Sequence, residues 1–163
     1  MLRTVRLRVI ETAPFMAVAL ALLFLTWTRV APAQAGREQS IDKQVAALVE
    51  KTLDEKTEQQ AFSDIEALGC AAVPAIIKRM DDRRNLPDHR ISLRNKSPDA
   101  FEGMRHYDPQ VVVDALAAIL NQVTGQSFGD IYNGATDKER TNTIQGWRDF
   151  LRKTPPAKLC NAG

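Results

Sequence analysis

The sequence predicts an all-α domain behind an N-terminal export signal, and three observations carry that expectation. Apolar residues recur three or four apart in successive stretches between residues 40 and 154, the repeat that gathers them on one face of a helix. Glycine and proline stand where those stretches stop or start, and residues suited to helix N-caps precede several of them. One long interruption, residues 81–107, separates the helices into two groups.

The chain begins with Arg3, Arg6 and Arg8 against the single acid Glu11, followed by an uncharged apolar run from Ala13 to Trp27. Ala33 and Ala35 then offer the two small residues that a signal peptidase requires, so cleavage is expected between Ala35 and Gly36. A spanning helix needs about 20 apolar residues; this run is shorter and contains Pro14. Residues 1–35 are therefore read as a signal peptide, residues 36–154 as the folded domain and residues 155–163 as a loose tail. The protein is expected to be periplasmic or secreted, the alternative being an anchor formed by an uncleaved N-terminal helix.

In the mature part, Ile41, Val45, Leu48 and Leu53 predict a first helix over residues 40–56. Thr57 and Gln60 have the spacing of a capping box, in which each side chain satisfies a backbone donor at the helix start. A second helix follows with Ala61, Phe62, Ile65 and Leu68 on one side, stopped by Gly69. A third runs from Ala71 to Met80 with Pro74 in its first turn, where the missing N–H costs nothing. The short link between them predicts a tight helical hairpin.

Residues 81–107 carry Pro87, Pro98 and Gly103 and read as a long irregular connection, with Ile91-Ser92-Leu93 as its one extended hint. Asp108 as N-cap and Pro109 at the first position then predict a helix through Val112, Leu116, Ile119 and Val123 to Gly125. Thr136 and Glu139 form a second capping box before a last helix with Ile144, Trp147 and Leu151 on one stripe, stopped by Pro155-Pro156. Trp147 is expected in the core, and Arg140 is expected to pair with an acid or cap a carbonyl nearby.

The stretch Ala61-Phe62-Ser63-Asp64-Ile65-Glu66-Ala67-Leu68-Gly69-Cys70-Ala71-Ala72-Val73-Pro74-Ala75-Ile76-Ile77 resembles a HEAT-type repeat, in which a helix ending in Leu-Gly is followed by Ala-Val-Pro and a second apolar helix. Residues 108–153 are similar in style to helical segments that accompany such repeats in exported bacterial proteins. The resemblance implies a compact helical domain built around one HEAT-like hairpin and a role in binding other proteins. A solenoid usually needs about three repeats, and one is present here.

The full chain has 22 basic and 20 acidic residues. Removing the signal takes four arginines and one glutamate with it, leaving 18 against 19 and a net charge of −1, so bulk charge gives no support for a nucleic-acid partner. Cys70 and Cys160 are a candidate disulfide or two unrelated thiols, and the spacing leaves both open. Asp88-His89 and His106-x-Asp108 offer a metal two ligands each with no further pair at a recognisable spacing, and no cofactor motif is present. The segment from Arg83 to His106 is locally basic, and Arg83, Arg84, Arg90 and Arg94 are the candidate partner-binding residues because guanidinium forks suit carboxylates. The expected function is a binding or scaffold module whose partner is another protein; the alternative is a hydrolase-like or metal-dependent enzyme with a scattered site.

Overall fold

A computed structural model describes residues 30–95 and 101–160, with side chains from Gln34 onward. Most of the expected signal peptide, including its apolar run, lies outside the described residues. The chain divides into two units, Met1–Arg37 and Glu38–Gly163; the start of the first helix belongs to the former and every other element to the latter. Among the described residues no single helix is long and apolar enough to cross a membrane.

Five helices, two short 3-10 segments and one two-stranded sheet make up the described fold: α1 Val30–Lys51, α2 Glu58–Ala67, a 3-10 turn Gly69–Ala72, α3 Val73–Ile77, β1 Ile91–Arg94, β2 Met104–Tyr107, α4 Val112–Thr124, α5 Asp137–Lys153 and a second 3-10 turn Pro156–Lys158. The protein is mostly helical but not all-α. Ile91-Ser92-Leu93 does extend, and Met104–Tyr107 pairs with it antiparallel from Ile91↔Tyr107 to Arg94↔Met104. The inner face of this hairpin buries Ile91, Leu93 and Tyr107, and that alternation of buried and exposed positions is the period-2 signature of a half-buried strand.

Helix α4 is the centre of the unit. Val112, Val113, Ala115, Leu116, Ala117, Ala118, Ile119 and Leu120 are all buried, so the helix is apolar around its whole circumference, as a helix enclosed by others must be. α2 and α3 both pack on α4, α5 packs on α3, and β1 packs on α2. The expected tight hairpin of α2 and α3 is instead a corner, bent by 105°. Gly69, at φ +61°, supplies the left-handed residue that ends α2, and both helices gain more by leaning on α4 than by folding onto each other.

Two expected caps form differently. Thr57 makes no cap bond to α2; its hydroxyl donates to the Lys51 carbonyl at 2.7 Å, closing the end of α1. α4 starts at Val112 and not at Pro109, because other groups meet its first donors. Val112 and Val113 N–H donate to the carbonyls of Arg84 and Asp82 at 3.0 and 3.1 Å, and the Asp114 carboxylate accepts from Gln110 and Val111 N–H. The Thr136–Glu139 box forms at α5, with Glu139 N–H on the Thr136 hydroxyl and Thr136 N–H on the Glu139 carboxylate.

The expected loose tail is fastened as far as Cys160. Leu159 is buried in the core, and Cys160 is joined to Cys70 in a disulfide with a Cα–Cα distance of 5.9 Å. Trp147 is buried and meets Phe128 edge-on at 4.8 Å between ring centres. Gly146 permits that approach: a Cβ there would stand 2.5 Å from the Phe128 Cβ.

Candidate functional site

The charged residues fall into two sets. In the helical body six arginines are matched to carboxylates, while Arg37 of α1 has none among the described residues. Arg140, on α5, forks onto Asp114 of α4, with Nε to Oδ1 and Nη2 to Oδ2 both at 2.8 Å. Both side chains are buried, Asp114 completely, and the ion pair raises the guanidinium's pKa further above its ordinary range. A desolvated pair of this geometry is costly to break from one side; it fastens α5 to the start of α4.

Arg84 forks likewise between Asp82 and Glu50. Its guanidinium holds both carboxyls below their usual range, and the cluster fastens the segment after α3 to the end of α1. Arg79 and Lys78 converge on Asp42 of α1 at 2.6 and 3.1 Å and lower its carboxyl to about 2. Arg83 is half-buried against α5, 3.7 Å from Asp137 and 3.5 Å from the Thr141 hydroxyl. Arg148 pairs with Asp81, and Arg152 with Asp149.

Of the four arginines expected to face a partner, the structure therefore commits Arg83 and Arg84 to internal pairs. Arg90 and Arg94 are exposed on the β1 arm of the hairpin. With Arg105 on β2 they form a set that has no carboxylate partner among the described residues. Sequence reasoning counted Arg105 as local charge without singling it out; its pairing with Leu93 across the hairpin is what brings it into the set.

At the hairpin tip Phe101 is fully exposed and Met104 is 41% exposed. The outer face carries Ser92, Arg94, Met104 and His106, and the Ser92 hydroxyl lies 2.8 Å from His106 Nδ1. A shallow groove of about 400 Å³ runs between this face and α2, bounded by Ser63, Glu66, Ala67, Ser92, Arg94 and Met104.

The two edges of the hairpin differ. Gln59 of α2 lies along β1, its side-chain carbonyl accepting from Ser92 N–H and its amide donating to Ser92 C=O, both at 2.8 Å. Gln122 of α4 donates to the Arg94 carbonyl at 2.8 Å. Two glutamines thus stand in for a third strand along β1. Among the described residues no side chain bonds the outward backbone groups of β2 in this way, although Tyr107 at its end meets Tyr132 edge-on at 5.7 Å between ring centres.

A second concavity of about 430 Å³ lies at the start of α5, lined by Asp130, Gly134, Glu139, Asn142 and Thr143 among others. Its acids are already engaged, Asp130 with the Tyr132 hydroxyl and Glu139 in its capping box. His89 is exposed, and His106 is held by Ser92. Among the described residues no three His, Cys, Asp or Glu side chains are placed to hold a metal ion.

Compared with protein-family models, curated proteins and solved structures, the chain matches none.

Proposed function

We propose that this chain is an exported binding or scaffold module that docks a protein partner through its β1–β2 hairpin. The observation that carries this reading is the segregation of charge. Arg79, Arg83, Arg84, Arg140, Arg148 and Arg152 each meet a carboxylate within the fold, whereas Arg90, Arg94 and Arg105 have none among the described residues. Side chains already paired contribute to the fold, and unpaired guanidiniums beside exposed apolar Phe101 and Met104 supply both the charge and the apolar anchors from which interfaces are made. The N-terminal signal pattern supports export, with the mature chain starting at Gly36.

Affinity capture from the exported fraction tests the reading, with wild type and an Arg90→Ala, Arg94→Ala, Arg105→Ala variant as paired baits. The partner should be recovered by wild type, lost by the variant and released as salt rises, since charge pairs at an exposed surface are screened beyond about 8 Å at physiological ionic strength. Equal recovery by both baits, or recovery indifferent to salt, would contradict it. N-terminal sequencing of the exported protein checks the cleavage site.

A further inference from the structure

We infer that the free edge of β2 takes an extended acidic segment of the partner as a third strand, an inference that rests on the hairpin being the contact surface. The register fixes which backbone groups are available. Asn95 N–H donates to the Gly103 carbonyl at 3.0 Å, so Asn95 and Gly103 are a hydrogen-bonded pair, and with hydrogen-bonded and non-bonded pairs alternating along an antiparallel ladder, Leu93↔Arg105 and Ile91↔Tyr107 are bonded. Ser92↔His106 and Arg94↔Met104 are then non-bonded, and their N–H and C=O groups point away from the ladder on both sides. On the β1 side this is visible directly, since Gln59 and Gln122 occupy the outward groups of Ser92 and Arg94.

On the β2 side the equivalent groups are the N–H and C=O of Met104 and His106. No side chain or backbone group among the described residues meets them, and both residues are exposed. A strand edge left open presents a ready template for another chain, and here the fold has closed one edge with side-chain amides and left the other bare. An added strand would exchange two hydrogen bonds with each of Met104 and His106, the arrangement by which extended peptides join sheet edges.

Charge selects the occupant. Residues 90–107 contain four basic and two acidic residues, and Arg90, Arg94 and Arg105 have no carboxylate partner among the described residues. Arg94 stands on the outer face with Met104 and His106, and Arg105 points to the opposite face. A strand alternating its side chains across the two faces can therefore answer both arginines with carboxylates. An acidic extended peptide satisfies the backbone and the guanidiniums together, whereas a second copy of this hairpin would bring like charges face to face.

Isothermal titration of the protein with a synthetic (Glu-Glu-Val-Val)3 peptide, whose glutamates fall on both faces of an extended strand, alongside an uncharged (Thr-Thr-Val-Val)3 peptide, tests this, with amide hydrogen exchange read on the complex. The acidic peptide should bind, the uncharged one about tenfold more weakly or worse, and the Met104 and His106 amides should gain protection. His106→Pro removes an outward N–H at an edge position, where proline is tolerated by the fold, and should weaken binding about tenfold or more; Met104→Pro supplies the same test should the first variant not fold. Binding that survives both prolines yet is lost in the Arg90→Ala, Arg94→Ala, Arg105→Ala variant would overturn strand addition and leave the hairpin as a side-chain contact surface. Binding indifferent to prolines and arginines alike would overturn both readings. Failure of the acidic peptide to bind, equal binding of the uncharged peptide, or self-association abolished by His106→Pro would each overturn the acidic occupant.

Discussion

In the helical body Arg140 forks onto a fully buried Asp114 and Arg84 onto Asp82 and Glu50, while on the hairpin Arg90, Arg94 and Arg105 reach no carboxylate among the described residues. The backbone repeats the contrast: two glutamines close the β1 edge, while among the described residues nothing meets the outward groups of Met104 and His106 on the β2 edge. The difference separates residues that stabilise the fold from residues it leaves available. Substitutions in the body should therefore cost stability, and substitutions on the hairpin should cost binding.

The largest expected effect is in the body. Trp147→Ala should destabilise the protein by about 3–5 kcal/mol, the usual cost of emptying the site of a large buried aromatic, because its ring is buried in the core against Phe128 and Phe150. Chemical denaturation measures it, and a midpoint close to that of wild type would place Trp147 outside the energetics of the core. Next is the disulfide. Cys70 and Cys160 are 90 residues apart, and closing so long a loop restricts the unfolded chain by up to about 4 kcal/mol. A Cys70→Ser, Cys160→Ser variant should lose stability of that order, and free-thiol counting under denaturing, non-reducing conditions should find no thiol in the wild-type protein.

Arg140→Met should cost about 3 kcal/mol, since it leaves the Asp114 charge buried with the Gln110 and Val111 N–H groups as its remaining support. The double variant Arg140→Met, Asp114→Asn should recover part of the loss, because the uncompensated charge is gone. If the double variant is no better than the single one, the cost comes from packing and the pair is not the fastening described above.

Much of the body was legible in the sequence, and the misses have physical causes. The Thr136–Glu139 box, the Gly125 stop and the core position of Trp147 follow from local rules that tertiary contacts did not override. The start of α4 was misread because its donors are met by Arg84 and Asp82 carbonyls some 28 to 31 residues earlier in the chain, a pairing no local motif records. Asp114 went unremarked for the same reason, its partner Arg140 being 26 residues away. No reading of the sequence singles out Gly146, whose missing side chain makes room for Phe128. At the candidate site, the basic character of residues 83–106 was readable from composition, but which arginines are committed was not. Asp82 is adjacent in the sequence, while Glu50 and Asp137 lie on other helices. The second strand was invisible because Met104-Arg105-His106-Tyr107 shows no apolar alternation, and only its pairing with Ile91–Arg94 makes it a strand.

A smaller effect sharpens the boundary between the two regions. Glu58 begins α2, is buried, and accepts the Asp88 N–H at 2.8 Å from the segment that leads into β1. Burial raises its carboxyl pKa above the ordinary 4.5, so the folded state favours the protonated form. The stability Glu58 contributes is complete below pH 4.5 and is lost as pH rises through the raised value. Glu58→Gln should accordingly raise the melting temperature at pH 7 and leave it nearly unchanged at pH 3.5; an equal shift at both would show that the carboxylate's charge carries no penalty there.

The smallest effect on stability is expected on the hairpin, and it is also where the central claim is most exposed. Replacing Arg90, Arg94 and Arg105 together by alanine removes no ion pair seen among the described residues and should change stability by no more than about 0.5 kcal/mol per site, whereas Arg83→Ala, Arg84→Ala breaks internal pairs and should lower it further. Partner recovery by these two variants, measured side by side with their melting temperatures, is the direct test. The account expects the hairpin variant to melt with wild type and lose the partner, and the Arg83, Arg84 variant to melt lower and keep it. The reverse pattern would contradict the account and return the contact surface to the helical body.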